Sequence, residues 1–148
     1  MIKIICVGKI KEKYFKDAID EYVKRLSKYA KLEIIELPDY NYDIIKTKQE
    51  EGKNILSKIN EKDFVVTMEI EGKKFDSVGL SHFIYENISK NIVFVIGGSY
   101  GLSDEVLQRS NYSLSFSNLT FPHQLFRIIL LEQVYRSFKI INNESYHK

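Results

Sequence analysis

The residues able to do chemistry gather in the last third of the chain. An apolar run, Ile92 to Ile96, leads straight into Gly97-Gly98-Ser99-Tyr100-Gly101-Leu102. A second, shorter run ending at Phe116 leads into Ser117-Asn118-Leu119-Thr120-Phe121-Pro122-His123. Each is a turn at the carboxyl end of a hydrophobic strand, the edge of an open parallel sheet where ligands bind. Gly97 and Gly98 lack the Gly-Lys-Ser/Thr of a phosphate-binding loop, and no acid ends the next strand to hold a ribose hydroxyl. A tight strand-to-loop turn needing positive φ explains these glycines equally well. In the second turn, Ser115, Ser117, Asn118 and Thr120 alternate with Phe116, Leu119 and Phe121. That mixture suits an adenine-like ring, which needs a flat apolar slot and a few edge hydrogen bonds; a hydrophobic loop tucked under the last helix would look the same. The chain ends on Tyr146-His147-Lys148, which brings proton-handling and cationic groups to an otherwise featureless terminus.

Three other polar residues stand out in this region. His123 follows a proline at a helix start, where the dipole disfavours imidazolium, so a neutral capping role is expected. Arg127 and Arg136 interrupt an apolar helix and call for anionic partners. Glu132 is the candidate for both, its spacing to Arg136 being that of an intrahelical pair. His82 is expected to face solvent, and no Cys/His spacing resembles a metal site.

The elements that must position these groups alternate along the chain. Strands are expected at Ile2–Val7, Leu32–Leu37, Phe64–Met68, Ile92–Ile96 and Tyr112–Phe116, with a turn at Glu71-Gly72 after the third. Helices are expected over residues 15–29, 44–59 and 78–88, from the Ser103 N-cap through Arg109, and from Pro122 to about Ile141. Strands alternating with helices require crossovers, so the fold class is α/β: a mainly parallel sheet with helices on both faces, in one domain over residues 1–148. The last helix is apolar nearly all round, from Leu125 and Phe126 to Ile140 and Ile141. It must be covered on more than one side, and a second copy of the chain is the expected cover.

Composition narrows the setting. The 148 residues carry a formal net charge of only +2, too little to announce nucleic-acid binding. Residues 9 to 31, however, hold eight Lys or Arg against four acids, a solvated helix face or a phosphate-contacting surface. Cys6 is the sole cysteine and sits in an apolar strand, as a buried hydrophobe would. With no disulfide, signal peptide or membrane-spanning run, a cytoplasmic protein is expected.

Taken together, several motifs resemble the RlmH family. They are Phe94 to Leu102, Leu114 to His123, Arg127, the box Glu132-Gln133-Val134-Tyr135-Arg136, the Tyr146-His147 ending and the amino-terminal Val7-Gly8-Lys9-Ile10-Lys11-Glu12-Lys13-Tyr14. These are SPOUT-class methyltransferases acting at N3 of a pseudouridine in 23S ribosomal RNA of the large subunit. The resemblance implies a deep trefoil knot in the carboxy-terminal part, which periodicity could not suggest. It implies S-adenosyl-L-methionine as methyl donor, assembled large subunit or ribosome as substrate, and a homodimer built on the last helix, without metal or membrane. Carried over, cofactor contacts fall at Met68, Gly97, Gly98, Phe116, Ser117, Asn118, Leu119, Thr120 and Phe121. The chemistry falls to Tyr146, His147, Arg136 and Lys148, acting within one subunit or across two. The family usually has Leu in place of Met68, and often Arg in place of Lys148, which keeps the charge but loses the bidentate fork. A catalytically silent, knotted RNA- or ribosome-binding module is the alternative, as is a flavodoxin-like nucleotide binder using Gly97-Gly98.

Overall fold

The computed structural model describes residues 1–148. Five strands form one wholly parallel sheet: β1 (Ile2–Val7), β2 (Leu32–Leu37), β3 (Phe64–Lys74), β4 (Ile92–Ile96) and β5 (Tyr112–Ser115). Their spatial order is β2-β1-β4-β3-β5. Between them run α1 (Lys13–Leu26), α2 (Ile44–Ser57), α3 (Ser77–Glu86) and α4 (Asp104–Arg109), and α5 (His123–Ile141) ends the fold.

β1 and β4 lie inside the sheet and are buried throughout, and they are apolar except for Lys3, whose Nζ donates to the Lys58 carbonyl at 3.2 Å, because strands covered on both faces cannot alternate with polar residues. Their side chains divide into two cores. Ile2, Ile4, Cys6, Ile92, Phe94 and Ile96 pack with Leu26 of α1, Leu80, Phe83 and Ile84 of α3, and Leu130, Leu131, Val134 and Phe138 of α5. Ile5, Val7, Val93 and Val95 turn to the other face, against Ile55 of α2 and Val106 of α4. The result is three helices on one face and two on the other. Burial pushes the Cys6 thiol up to about 11, so it behaves as a core hydrophobe.

Caps mark several helix starts. Asp43, Asp76 and Ser103 accept from the backbone N–H three residues on, at Lys46, Gly79 and Val106. Pro122 occupies the N-cap of α5 rather than its first turn, with an extended backbone. β5 ends at Ser115, one residue before the expected end.

The main departure from expectation is β3. No turn forms at Glu71-Gly72; the strand continues to Lys74. Met68 and Lys73 both pair with Leu114, so residues 69–72 bulge out of the ladder and the pairing resumes beyond them. Gly72 permits this, since a Cβ there would lie 2.7 Å from the Leu114 backbone. A glycine required for close approach carries the same sequence signal as one required for a turn.

α5 is buried along Arg127, Leu130, Leu131, Val134, Tyr135, Ser137 and Phe138, while Leu125, Ile128, Ile129, Ile140 and Ile141 keep partial exposure. Ser77 donates to Gln133 at 2.8 Å, tying the start of α3 to the middle of α5. No helix is long and apolar enough to cross a membrane.

Candidate active site

A cleft of about 470 Å³ opens at the carboxyl ends of β3, β4 and β5. Three loops build it: the β3 bulge, the glycine turn after β4 and the segment joining β5 to α5. Eight of the nine residues expected to contact a cofactor line it: Met68, Gly97, Gly98, Phe116, Ser117, Leu119, Thr120 and Phe121. Asn118 does not, and it lies exposed. The bulge adds Glu69, Ile70 and Glu71, which the expected turn had hidden, and α5 adds His123 and Phe126.

Local bonding shapes the β5–α5 segment into a donor-rich wall. Ser115 Oγ donates to the Ser117 carbonyl at 3.0 Å, and Ser117 Oγ accepts from Leu119 N at 3.0 Å. The N–H groups of Ser117, Asn118, Thr120 and Phe121 donate to no group of the chain. Phe116 and Phe121 pack on Phe126, with ring centroids 5.4 and 6.1 Å apart, so the apolar part of the wall is backed by α5. Met68, Ile70, Ile96, Leu102, Leu114 and Leu119 complete the apolar lining. Free amides beside flat hydrocarbon suit a heteroaromatic ring with hydrogen-bonding edges.

The floor is crowded. A Cβ on Gly98 would lie 2.8 Å from Glu51 Oε1 and 3.2 Å from Val7 Cγ1. Glu51 is 3% exposed; its Oε2 accepts from Tyr40 N at 3.0 Å, while Oε1 has no donor. Burial holds its carboxyl above the usual range. His123 is pushed the other way, toward the neutral imidazole, by burial and by the nearby Arg127.

Arg127 does not pair with Glu132. It is 3% exposed and donates to Glu36 at 2.7 Å, to the Gly8 carbonyl at 2.6 Å and to the Val7 carbonyl at 3.0 Å. It fastens the start of α5 to the carboxyl ends of β1 and β2.

The other expected group assembles elsewhere. Glu132 pairs with Arg136 on α5, as their spacing predicts. Tyr146 folds back over Arg136, 4.8 Å from guanidinium carbon to ring centroid, and its hydroxyl donates to Glu132 Oε1 at 3.1 Å. Burial and Glu132 push the Tyr146 hydroxyl up to about 12, so it is a donor at neutral pH. Arg136 Nη1 lies 3.1 Å from His147 Nδ1. A guanidinium can only donate, so Nδ1 accepts and the imidazole proton sits on Nε2. Lys148 is exposed and makes no ion pair. Arg136, Tyr146 and His147 thus form one cluster, and neither they nor Lys148 line the cleft.

Six of the eight cations between residues 9 and 31 are exposed and unpaired: Lys9, Lys11, Lys16, Lys24, Lys28 and Lys31. Lys13 and Arg25 pair with Asp17 and Glu21 one helical turn away. His82 is exposed, as expected.

These features have known counterparts. The profile of the family described as "Predicted SPOUT methyltransferase" matches residues 1–147. The chain therefore belongs to the SPOUT methyltransferase family, whose knotted α/β fold its parallel sheet carries and whose chemistry implies a methyl donor of the S-adenosylmethionine type. Among curated proteins, it is 54% identical over 158 aligned residues to ribosomal RNA large subunit methyltransferase H 1 of Clostridium perfringens strain SM101. It is similarly 54% identical to ribosomal RNA large subunit methyltransferase H of strains ATCC 13124 and 13 of that species. Each alignment covers 99% of this chain and 99% of the relative.

Proposed function

We propose that this chain transfers a methyl group from S-adenosyl-L-methionine, held in the β3–β4–β5 cleft, to N3 of a pseudouridine in 23S ribosomal RNA. The observation that carries the proposal is the cleft itself. It joins a donor-rich wall, flat apolar surfaces and two glycine-containing loops at the carboxyl edge of a parallel sheet. Near-full-length similarity to proteins named ribosomal RNA large subunit methyltransferase H supports the choice of substrate.

The bound donor would supply an electrophilic methyl carbon. Met68, Leu114 and Phe116 would face the adenine, and the free amides of Ser117 to Phe121 would bond its edge. The acceptor nitrogen must lose its imide proton to attack. Nearby cations favour the resulting anion, which is the role given to Arg136 and Lys148, while the His147 Nε2–H donates to the imide and steers its deprotonation. The exposed lysines of residues 9–31 would contact RNA phosphates.

A homodimer is part of this reading. The tail cluster does not line its own cleft, and α5 keeps apolar side chains partly exposed, so a second copy could cover α5 and bring its tail to the cleft. The substrate would be the assembled large subunit or ribosome, met in the cytoplasm, where folded RNA presents the nucleotide.

The deciding experiment is mass spectrometry of 23S ribosomal RNA from a strain lacking this gene. One methyl group should vanish from a pseudouridine and return with the wild-type gene. Unchanged methylation would exclude this reading, and a module that binds RNA without chemistry would leave the mass unaltered.

A further inference from the structure

The cleft carries charge of one sign only. Among its lining residues there is no Lys or Arg, whereas Glu69 and Glu71 both contribute to it. Neither glutamate forms an ion pair. His123, the one imidazole present, is held toward its neutral form. Glu69 is also fixed in place. Its Oε2 accepts from Ser113 Oγ at 2.5 Å and from Thr67 Oγ1 at 3.2 Å, and Thr67 in turn lies 2.9 Å from Ser110 Oγ. A concave, one-signed lining with low-dielectric walls focuses its field into the cavity.

We propose that Glu69, assisted by Glu71 at the rim, reads ligand charge, favouring the cationic methyl donor over the neutral product of the same shape. The proposal rests on the methyl-donor reading of the cleft. S-adenosylmethionine carries a sulfonium; S-adenosylhomocysteine differs by one methyl and has a neutral thioether. On transfer, the carbon–sulfur electron pair stays on sulfur. The acceptor nitrogen bonds the methyl with the pair freed when its proton leaves to a base. The sulfur ends uncharged, and the attraction of Glu69 for it ends with the reaction. Spent cofactor is thereby released in favour of fresh donor.

Calorimetry with the full-length protein tests this, using S-adenosylmethionine and S-adenosylhomocysteine against wild type, Glu69→Gln and Glu71→Gln. The amide in Glu69→Gln keeps an acceptor for Ser113 and Thr67 while removing the charge. It should weaken S-adenosylmethionine about three- to tenfold and leave S-adenosylhomocysteine within about twofold, with a smaller selective loss in Glu71→Gln. Equal loss of both ligands, or of neither, would overturn the proposal. A second arm needs no variant: raising salt from about 0.05 M to about 0.5 M should weaken the sulfonium ligand relative to the thioether in wild type. A ratio insensitive to salt would likewise overturn it. Wild type binding neither ligand would instead sink the methyl-donor reading on which it rests.

Discussion

Arg127 Nη1 lies 2.7 Å from Glu36, a residue 91 positions away in the chain, and the same guanidinium caps the carbonyls of Val7 and Gly8. One side chain of α5 thus closes the carboxyl ends of β1 and β2 and anchors the end of the β5–α5 segment that runs into α5. Replacing it with Met would take the guanidinium from two carbonyls and leave the Glu36 carboxylate only the Ile10 N–H, at a cost of about 2–4 kcal/mol. Arg127→Lys should fall between, since one ammonium cannot reach all three acceptors in the same fork geometry. Urea unfolding followed by circular dichroism checks the order wild type, Lys, Met.

At Gly98 the question is space. An added methyl would meet Glu51 Oε1 at 2.8 Å and Val7 Cγ1 at 3.2 Å, so Gly98→Ala should destabilise the fold by about 1–2 kcal/mol and displace the cleft floor. If the clash with Glu51 dominates, Glu51→Ala should partly rescue it, and the double mutant should be more stable than the two single losses would sum to. Additive losses in a double-mutant cycle would assign the strain to Val7 instead.

Glu51 also sets a pH dependence. Its folded pKa is raised above the ordinary carboxyl value of 4.5 by burial. The folded state therefore holds a proton that the unfolded chain releases. That contribution is complete below 4.5 and is lost as pH rises through the folded value. Glu51→Gln, which cannot ionise, should flatten the fall in stability as pH rises above 4.5. Urea midpoints across that range measure it, and a slope identical to wild type would contradict the assignment.

How much of this was legible in the sequence depends on the range of each interaction. The central strands and the α4 cap are local, set by apolar runs and a Ser103 side chain three residues from its donor, and the sequence predicts their bounds. The two turns at the cleft follow from strand ends. The β3 bulge was hidden because Gly72 serves a contact with Leu114, 42 positions on, that no local pattern encodes. Glu69 and Glu71 were hidden with it, on what read as an ordinary turn. Glu132 is the only partner that local sequence offers Arg127, at five positions, yet the carboxylate it meets comes from β2. The knot escapes periodicity for the same reason, being a property of how distant segments cross.

The tail offers the last prediction. Tyr146 donates to Glu132 and its hydroxyl is raised to about 12, so it holds its proton throughout the physiological range and serves as a donor. His147, with Nδ1 occupied by Arg136, presents Nε2 outward. Tyr146→Phe should therefore keep methyl transfer within about tenfold, whereas His147→Ala should lose about a hundredfold in single-turnover rate, the span of a positioned acid or base. Donor affinity should change far less than the rate in both, because the cleft's own loops hold the donor and the tail acts on the acceptor's proton. Full transfer by His147→Ala would remove it from proton handling. Mixed dimers then locate its action: a chain lacking residues 146–148, paired with one carrying Gly98→Ala, should regain activity if each tail serves the partner's cleft. If each tail serves its own, the mixed dimer contains no complete site and stays inactive.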